Sequence, residues 1–458
     1  MKPWLEKLLA RLWNRRAVRR LAARTVRALV LGVRLADGDI RGQVTVPHDR
    51  RAEHIAILGK TGTGKSSLLR HIAEEDIAAE RGFLYFDLHG DATEFLAGKI
   101  AEHERRVGRD LSDHFILIDP ANAVVSVGLN PLEGEATGNR FVQIAEFAEV
   151  LKKRWQLESF GARTDELLRN SLYVLAENGL TLLELGLFLA QSAFRAACLK
   201  RVRNAEVRQY FELRYDEASE PMRATMREPI LNKTSAFTAD DHFRHIVGQA
   251  RSTFSLRDAL DQGSWIVINL HKGRLGEQAV TLGSLFLTVV KNAIFARRTR
   301  NLFTIFCDEI QNLVAYGSGL ETILSEARKF AVSIISANQF LDQYPSEMRS
   351  AILAVGTHVL FQLSSADANQ MAAAFDGGKP LAELLKHLPR RHMVVKTGDG
   401  RWEEGVVPTV HPAKADAADL IARSHARWAR ERTTVEEEIM RRHASAAKNA
   451  NEVLHDWE

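Results

Sequence analysis

Cysteine is nearly absent from this 458-residue chain: Cys198 and Cys307 are the only two, far apart and in no metal or redox spacing. That excludes a disulfide framework and suits a reducing interior. Long apolar runs are missing as well. The longest stretch without a charge, residues 350–366, is broken by His358 and Gln362 and falls short of the ~20 predominantly apolar residues that a bilayer span requires. No transmembrane helix is expected. No signal peptide is expected either, because the N-terminus is charged throughout, without an apolar h-region or small-residue cleavage site. Proline is missing from residue 132 to residue 220, which favours uninterrupted helix there. Metal-ligand clusters are scarce too. His242 and His245 lie beside Asp240 and Asp241, but the set has no nearby Cys and matches no standard spacing, so it reads as a polar surface turn.

What is present is ordinary for a soluble globular protein: 45% hydrophobic and 26% charged residues. The length predicts one large domain with a sizeable insertion, or two to three domains. Net charge is only +4, but it is uneven. Residues 1–30 carry nine Lys and Arg against Glu6 alone, a local +8 that leaves −4 for the rest. Leu5, Leu8, Leu9 and Leu12 recur in this arm at helical spacing, with Trp4 and Trp13 nearby. Three readings stand open for it: a membrane-interface helix, a grip on nucleic-acid phosphates, or a helix packed on the body or on a neighbouring subunit.

From about residue 30 the pattern becomes α/β. Apolar runs at 54–58, 83–88, 114–119, 264–270, 302–307, 331–336 and 357–363 read as buried strands of a mostly parallel sheet with helices on both faces. Runs at 392–396 and 405–410 are expected to add strands at an edge. Between the third and fourth strands, apolar residues fall at helical spacing, as in Phe141, Ile144, Phe147, Ala148 and Leu151. The expected organisation is a basic arm at 1–30, a nucleotide-binding core at 31–135 and 256–412, an all-α insertion at 136–255, and a charged helical tail at 413–458.

The strongest local signal is Gly59-Lys60-Thr61-Gly62-Thr63-Gly64-Lys65-Ser66-Ser67, which follows the apolar run 54–58 and opens a helical pattern at Leu68-Leu69. The glycines permit turns that a Cβ would block, so that backbone N–H groups point inward around a chain of phosphates. Lys65 is placed to reach the β- and γ-phosphates and the Ser66 hydroxyl to ligate Mg²⁺. The helix N-terminus adds partial positive charge beneath the anion. This predicts binding of ATP or a similar nucleoside triphosphate.

A second strand, at 302–307, ends in Asp308-Glu309. Asp308 is the expected Mg²⁺-holding acid at a strand's C-terminal edge, and Glu309 the expected general base for water. The pair favours hydrolysis over transfer to a small acceptor. The run 331–336 leads to Asn338-Gln339, and Gln339 is the candidate sensor of the γ-phosphate. Arg328-Lys329 precedes that run, and Arg328 is the candidate finger reaching a neighbour's nucleotide. Asp87-Leu88-His89-Gly90-Asp91 reads mainly as a turn with a helix cap.

The set GKTGTGKSS, YFDLHGD, LNPLEG, FCDEIQNL and SEARKFAVSIISANQ resembles the HerA/FtsK superfamily of ring-forming DNA-pumping ATPases. Within it, the chain is most similar to the coupling-protein ATPases of conjugative type IV secretion and their HerA-like relatives, from about residue 40 to 410. The resemblance implies a RecA-like core, a hexamer with DNA in its channel, and hydrolysis between subunits. Lys65 and Ser66 would then bind nucleotide and Mg²⁺, Asp308 and Glu309 form the hydrolytic pair, Gln339 act as sensor and Arg328 as trans finger. It also implies relaxase or secretion-channel partners, a substrate-recognising role for the α insertion, and a cytoplasmic location, with peripheral membrane attachment left to the basic arm. The membrane helices and N-terminal β-barrel common in relatives are not expected, and Ala327 stands where the family often has Gly. Two other functions stay open: a secretion-type motor that moves or remodels protein, and an ATP-loaded assembly scaffold with little turnover.

Overall fold

The structure is a computed structural model that describes residues 28–455 apart from 37–38, 135–139, 156, 158–160, 315–319 and 399. The basic arm read at 1–30 therefore lies almost wholly outside the described residues. Eleven strands form one sheet among the described residues: β1 (Ala28–Ala36), β2 (Asp39–Pro47), β3 (Ile55–Leu58), β4 (Phe83–Asp87), β5 (Phe115–Ile118), β7 (Trp265–Asn269), β8 (Phe303–Asp308), β9 (Val332–Asn338), β10 (Thr357–Leu360), β11 (His392–Thr397) and β12 (Glu403–Val406). Two short strands, β6 (Val125–Ser126) and β13 (Arg430–Glu431), pair separately. The order is β2-β1-β12-β11-β10-β3-β9-β8-β4-β7-β5. From β10 to β5 all neighbours are parallel; from β10 to β2 all are antiparallel.

The parallel strands read as continuous apolar runs because both of their faces are buried. Leu84, Phe86, Ile266 and Ile268 pack with the helical region that follows β6. Their sequence neighbours Phe83, Tyr85, Trp265 and Val267 face the helices Lys65–Ala78 and Asp91–Val107 on the other side. All seven expected strands of the parallel part are present. The strands at 392 and 405 are not at an edge, however. The hairpin β1–β2 lies beyond them, with Leu31, Val44 and Val46 buried. Sequence reading passed over this hairpin: β2 buries only Val44 and Val46, so it carries no continuous apolar run of the kind a central strand shows.

Helices from Arg140–Arg154 to Leu256–Gln262 occupy the chain between β6 and β7. The segment Leu129-Asn130-Pro131-Leu132 closes the neck of this region. Asn130 donates to the carbonyls of Leu180 and Ala250 and accepts from Leu132 N–H. The C-terminal segment straps the two parts together. Its helix Ala418–Trp428 bonds to the β5 edge through Ser424 Oγ on Phe115 O (2.7 Å). Its helix Arg432–His455 then meets the helical region, where Arg244 forks onto Glu436 at 2.8 and 2.9 Å. His245 is buried against that same Glu436 rather than sitting in a surface turn, and no three-residue metal-ligand cluster occurs among the described residues. Among the described residues, one unbroken helix, Gln278–Phe295, is long and apolar enough to cross a bilayer, but 72% of it is buried inside the protein. It is a core helix, interrupted by Lys291, which pairs with Glu146 at 3.0 Å.

Candidate functional site

The strand order decides where the chemistry gathers. β9 runs between β3 and β8, in register Leu58–Asn338 and Asp308–Ala337. Three loops therefore leave the sheet side by side at its C-terminal edge, where open α/β sheets collect ligands. Gly59–Ser67 follows β3, Glu309 follows β8 and Gln339 follows β9.

The glycine-rich loop is fastened where it leaves β3. Gly59 N–H donates to Asn338 O (3.1 Å) and Lys60 N–H to Gln362 O (2.8 Å). Gly62 and Gly64 have φ of 77° and 127°, which side chains with a Cβ rarely tolerate. At Gly59 an added Cβ would lie 2.6 Å from Phe361 Cβ. Arg391, in the turn before β11, buttresses the loop by donating its N–H to Thr63 O at 2.7 Å. Thr61, Gly62 and Ser66 are exposed, while Thr63 and Lys65 are buried. The helix Lys65–Ala78 begins without a side-chain cap, so its first-turn amides have no intrahelical acceptor. An anion satisfies such a terminus.

Lys65 Nζ rests on the carbonyls of Gly59 (2.6 Å) and Lys60 (3.0 Å). Burial pulls its pKa below the ordinary lysine value, and Asp308 and Glu309 oppose that fall. Ser66 Oγ donates to Asp308 Oδ2 at 2.9 Å, joining two motifs 242 residues apart in sequence. Burial raises the Asp308 carboxyl, against the Ser66 hydrogen bond and the positive field of His89 and Lys65. A hydroxyl beside a carboxylate is a hard-oxygen pair of the kind Mg²⁺ prefers, so this donor set fits that ion.

Glu309 has φ +54°, a strained conformation for a residue with a Cβ. Its N–H donates to Ala337 O at 3.0 Å. Gln339 Nε2 faces Glu309 Oε1 at 3.4 Å, and Asn312 Nδ2 donates to Oε2 at 3.1 Å. The structure thus brings Lys65, Ser66, Asp308, Glu309 and Gln339 together. It does not bring Arg328 to them. That residue lies on the turn Ala327–Phe330 before β9, exposed, 3.3 Å from Glu53.

Asp87 turns out to be a turn-former. It is buried and accepts from the amides of His89, Gly90 and Thr93 and from Thr93 Oγ1. Asn312 and Arg391 were not singled out from sequence. Asn312 could have been found at three residues from Glu309. Arg391 lies in a turn with no motif of its own, so nothing local marked it.

Residues 41–179 match the family model described as the central domain of helicase HerA. No characterised protein sequence matches the chain. Among solved structures, the bacterial conjugative coupling protein TrwBdeltaN70 aligns over 86% of this chain and 94% of its own, with TM-score 0.61 and 18% identity. TrwB in complex with ADP and Mg²⁺ aligns with TM-score 0.59 and 18% identity, over 86% of this chain and 93% of its own. VirB4 of Thermoanaerobacter pseudethanolicus aligns over 84% and 97%, with TM-score 0.59 and 17% identity. The resemblance to HerA/FtsK-type ATPases is met in both the family model and the fold, which is that of a P-loop ATPase.

Proposed function

We propose that the chain is an ATP-hydrolysing ring motor that translocates DNA or a DNA–protein conjugate. The observation that carries this reading is the 2.9 Å contact between Ser66 and Asp308, with Glu309 and Gln339 on the adjoining strand ends. The amides of Gly62–Ser67 and the helix terminus hold the phosphate chain, and Lys65 exchanges its carbonyl partners for phosphate oxygens. Ser66 and Asp308 are the residues that would hold Mg²⁺, which when bound neutralises phosphate charge. Glu309 takes a proton from the attacking water, and Gln339 beside it senses the γ-phosphate.

Arg328 acts in trans. It precedes the first residue of β9, whereas the phosphate loop sits beyond the last. Seven residues at ~3.3 Å each separate the two by about 20 Å, further than an arginine reaches. Completing the site therefore calls for a neighbouring copy, and the hexameric ring known for the resembled family supplies one. TrwB is described as a conjugative coupling protein, which supports DNA as the cargo.

The test is steady-state ATP hydrolysis with and without single- and double-stranded DNA, alongside a mass measurement of the oligomer. Glu309→Gln is expected to lower kcat by ~10²–10⁴-fold while nucleotide still binds; Lys65→Ala is expected to abolish binding. Unchanged turnover in Glu309→Gln would sink the assignment of the base. Stimulation by protein and not by DNA would select the protein-moving alternative.

A further inference from the structure

Arg391 holds a backbone conformation that few residues with a Cβ adopt, φ +68°. Such strain persists only where the surroundings over-determine it, and it clusters at working sites. Here the surroundings are one residue, Val407, which directly follows β12 and is fully buried. Arg391 O accepts from Val407 N–H at 3.0 Å. The guanidinium turns back onto the same residue, with Nε and Nη2 donating to Val407 O at 3.2 and 2.6 Å. Main chain and side chain together fix Arg391 to the antiparallel part of the sheet.

What this clamp presents is the Arg391 N–H, 2.7 Å from Thr63 O. The approach is close: a Cβ added to Gly64 would stand 3.3 Å from Arg391 Cα. Thr63 O and Gly64 N–H share one planar trans peptide and point in opposite directions. Holding the carbonyl toward Arg391 therefore turns the Gly64 N–H away from it, and that N–H donates to no acceptor among the described residues. Gly64 is the N-cap of the helix Lys65–Ala78, so its amide belongs to the set that meets an anion at this terminus. Thr63 Oγ1 donates to Lys60 O at 2.7 Å, inside the loop. Arg391 is the contact that fixes this peptide from outside the loop.

We infer that Arg391 is a positioning residue for the nucleotide: clamped on Val407, it aims the Gly64 amide at the phosphate chain, so that the antiparallel part of the sheet sets the affinity for ATP. This rests on the phosphate loop being the ATP site. The experiment is calorimetric titration of the full chain with ADP and Mg²⁺, together with steady-state ATP hydrolysis, for Arg391→Ala, Arg391→Gly and Lys65→Ala. Both changes at Arg391 remove the guanidinium and keep the N–H. Alanine retains the strain without its clamp, so the backbone relaxes away from Thr63, whereas glycine adopts φ +68° freely. Arg391→Ala is expected to raise the Kd for ADP and the KM for ATP about tenfold, the scale of one amide bond to a charged group. Its kcat stays within about twofold of the parent's, because the amide serves ground state and transition state alike. Arg391→Gly is expected to raise Kd and KM only about two- to threefold, since it loses the clamp but not the geometry. Equal weakening in the two variants overturns the inference, because the guanidinium charge would then act on the nucleotide directly. An unchanged Kd in Arg391→Ala overturns it too, as does a fall in kcat at unchanged KM. Hydrogen exchange of the parent chain supplies a reading that needs no variant: ADP slows the amides of Arg391 and Val407 together with those of residues 59–67, and protection confined to the loop refutes the coupling. The underlying reading fails separately, through a Lys65→Ala variant that binds ADP as the parent does.

Discussion

Replacing Asp76 with asparagine tests whether the helix behind the phosphate loop is locked to the strand that carries Asp308. Arg51 and Asp76 are both fully buried and bonded through two parallel contacts, Nη1 to Oδ1 and Nη2 to Oδ2, each 2.7 Å. Thr304 on β8 completes the set, accepting from Arg51 Nη2 at 2.8 Å and donating to Asp76 Oδ2 at 3.1 Å. Asp76 stands near the end of the helix that Lys65 and Ser66 begin, so the lock joins that helix to β8 at the sheet edge opposite the nucleotide. Removing the carboxylate leaves the Arg51 guanidinium buried without a counter-charge. Arg81, 3.8 Å from Asp76, then faces it as a like charge. Breaking a buried pair from one side costs about 3–5 kcal/mol. That lowers Tm by roughly 5–10 °C, since the ~2–4 °C per kcal/mol found for 150–250 residues shrinks with chain length. The triple change Arg51→Met, Asp76→Leu, Thr304→Val removes all three buried polar members at once, leaving the part-exposed Arg81 to solvent, and is expected to lie within about 1 kcal/mol of the parent. Urea denaturation of the single and triple variants supplies the comparison. The reasoning is refuted if Asp76→Asn costs under about 1 kcal/mol, or if the triple variant is as unstable as the single.

Two further outcomes follow from the same geometry. Arg328→Ala should abolish most turnover in the assembled ring while leaving nucleotide affinity intact. Mixing it with Lys65→Ala subunits should restore activity, because a mixed ring contains interfaces with an intact loop on one side and an intact Arg328 on the other; failure to complement removes the trans assignment. His54 governs a pH effect. It is buried between Leu324 O (2.9 Å) and Ile334 N–H (3.1 Å), and burial lowers its pKa from 6.5 to about 4. The unfolded chain binds this proton first, so stability falls as pH drops from 6.5 towards 4, by about 3 kcal/mol at most. His54→Gln, which preserves one donor and one acceptor, should flatten that slope in denaturation curves at pH 7 and pH 4.5; an unaltered slope would assign the loss to other groups.

Local physics made much of this protein readable in advance. The parallel strands announced themselves because burial on both faces demands an unbroken apolar run, as in Phe83–Asp87 and Trp265–Asn269. The phosphate loop was legible because its backbone turns need glycine at particular positions, a requirement contained within nine consecutive residues. Hairpin β1–β2 was not, since its outer strand hides only Val44 and Val46 and otherwise resembles an exposed segment. The C-terminal segment read as a charged helix, but its charges gave no hint that Arg423, Arg432 and Glu436 fasten it across the β5 edge and onto the helical region.

Strand order lay beyond any local pattern. It is set by which faces pack together once loops have closed, and it alone inserts β9 between β3 and β8, bringing Ser66 against Asp308 and Gln339 beside Glu309. The same packing carries Arg328 to the far side of the sheet and sets Arg391 against the phosphate loop. Residue types and spacing determined that a nucleotide loop, an acid pair and an amide existed; only the tertiary fold decided which of them share a site, because contacts between residues hundreds of positions apart are a property of the closed sheet and not of any stretch of chain.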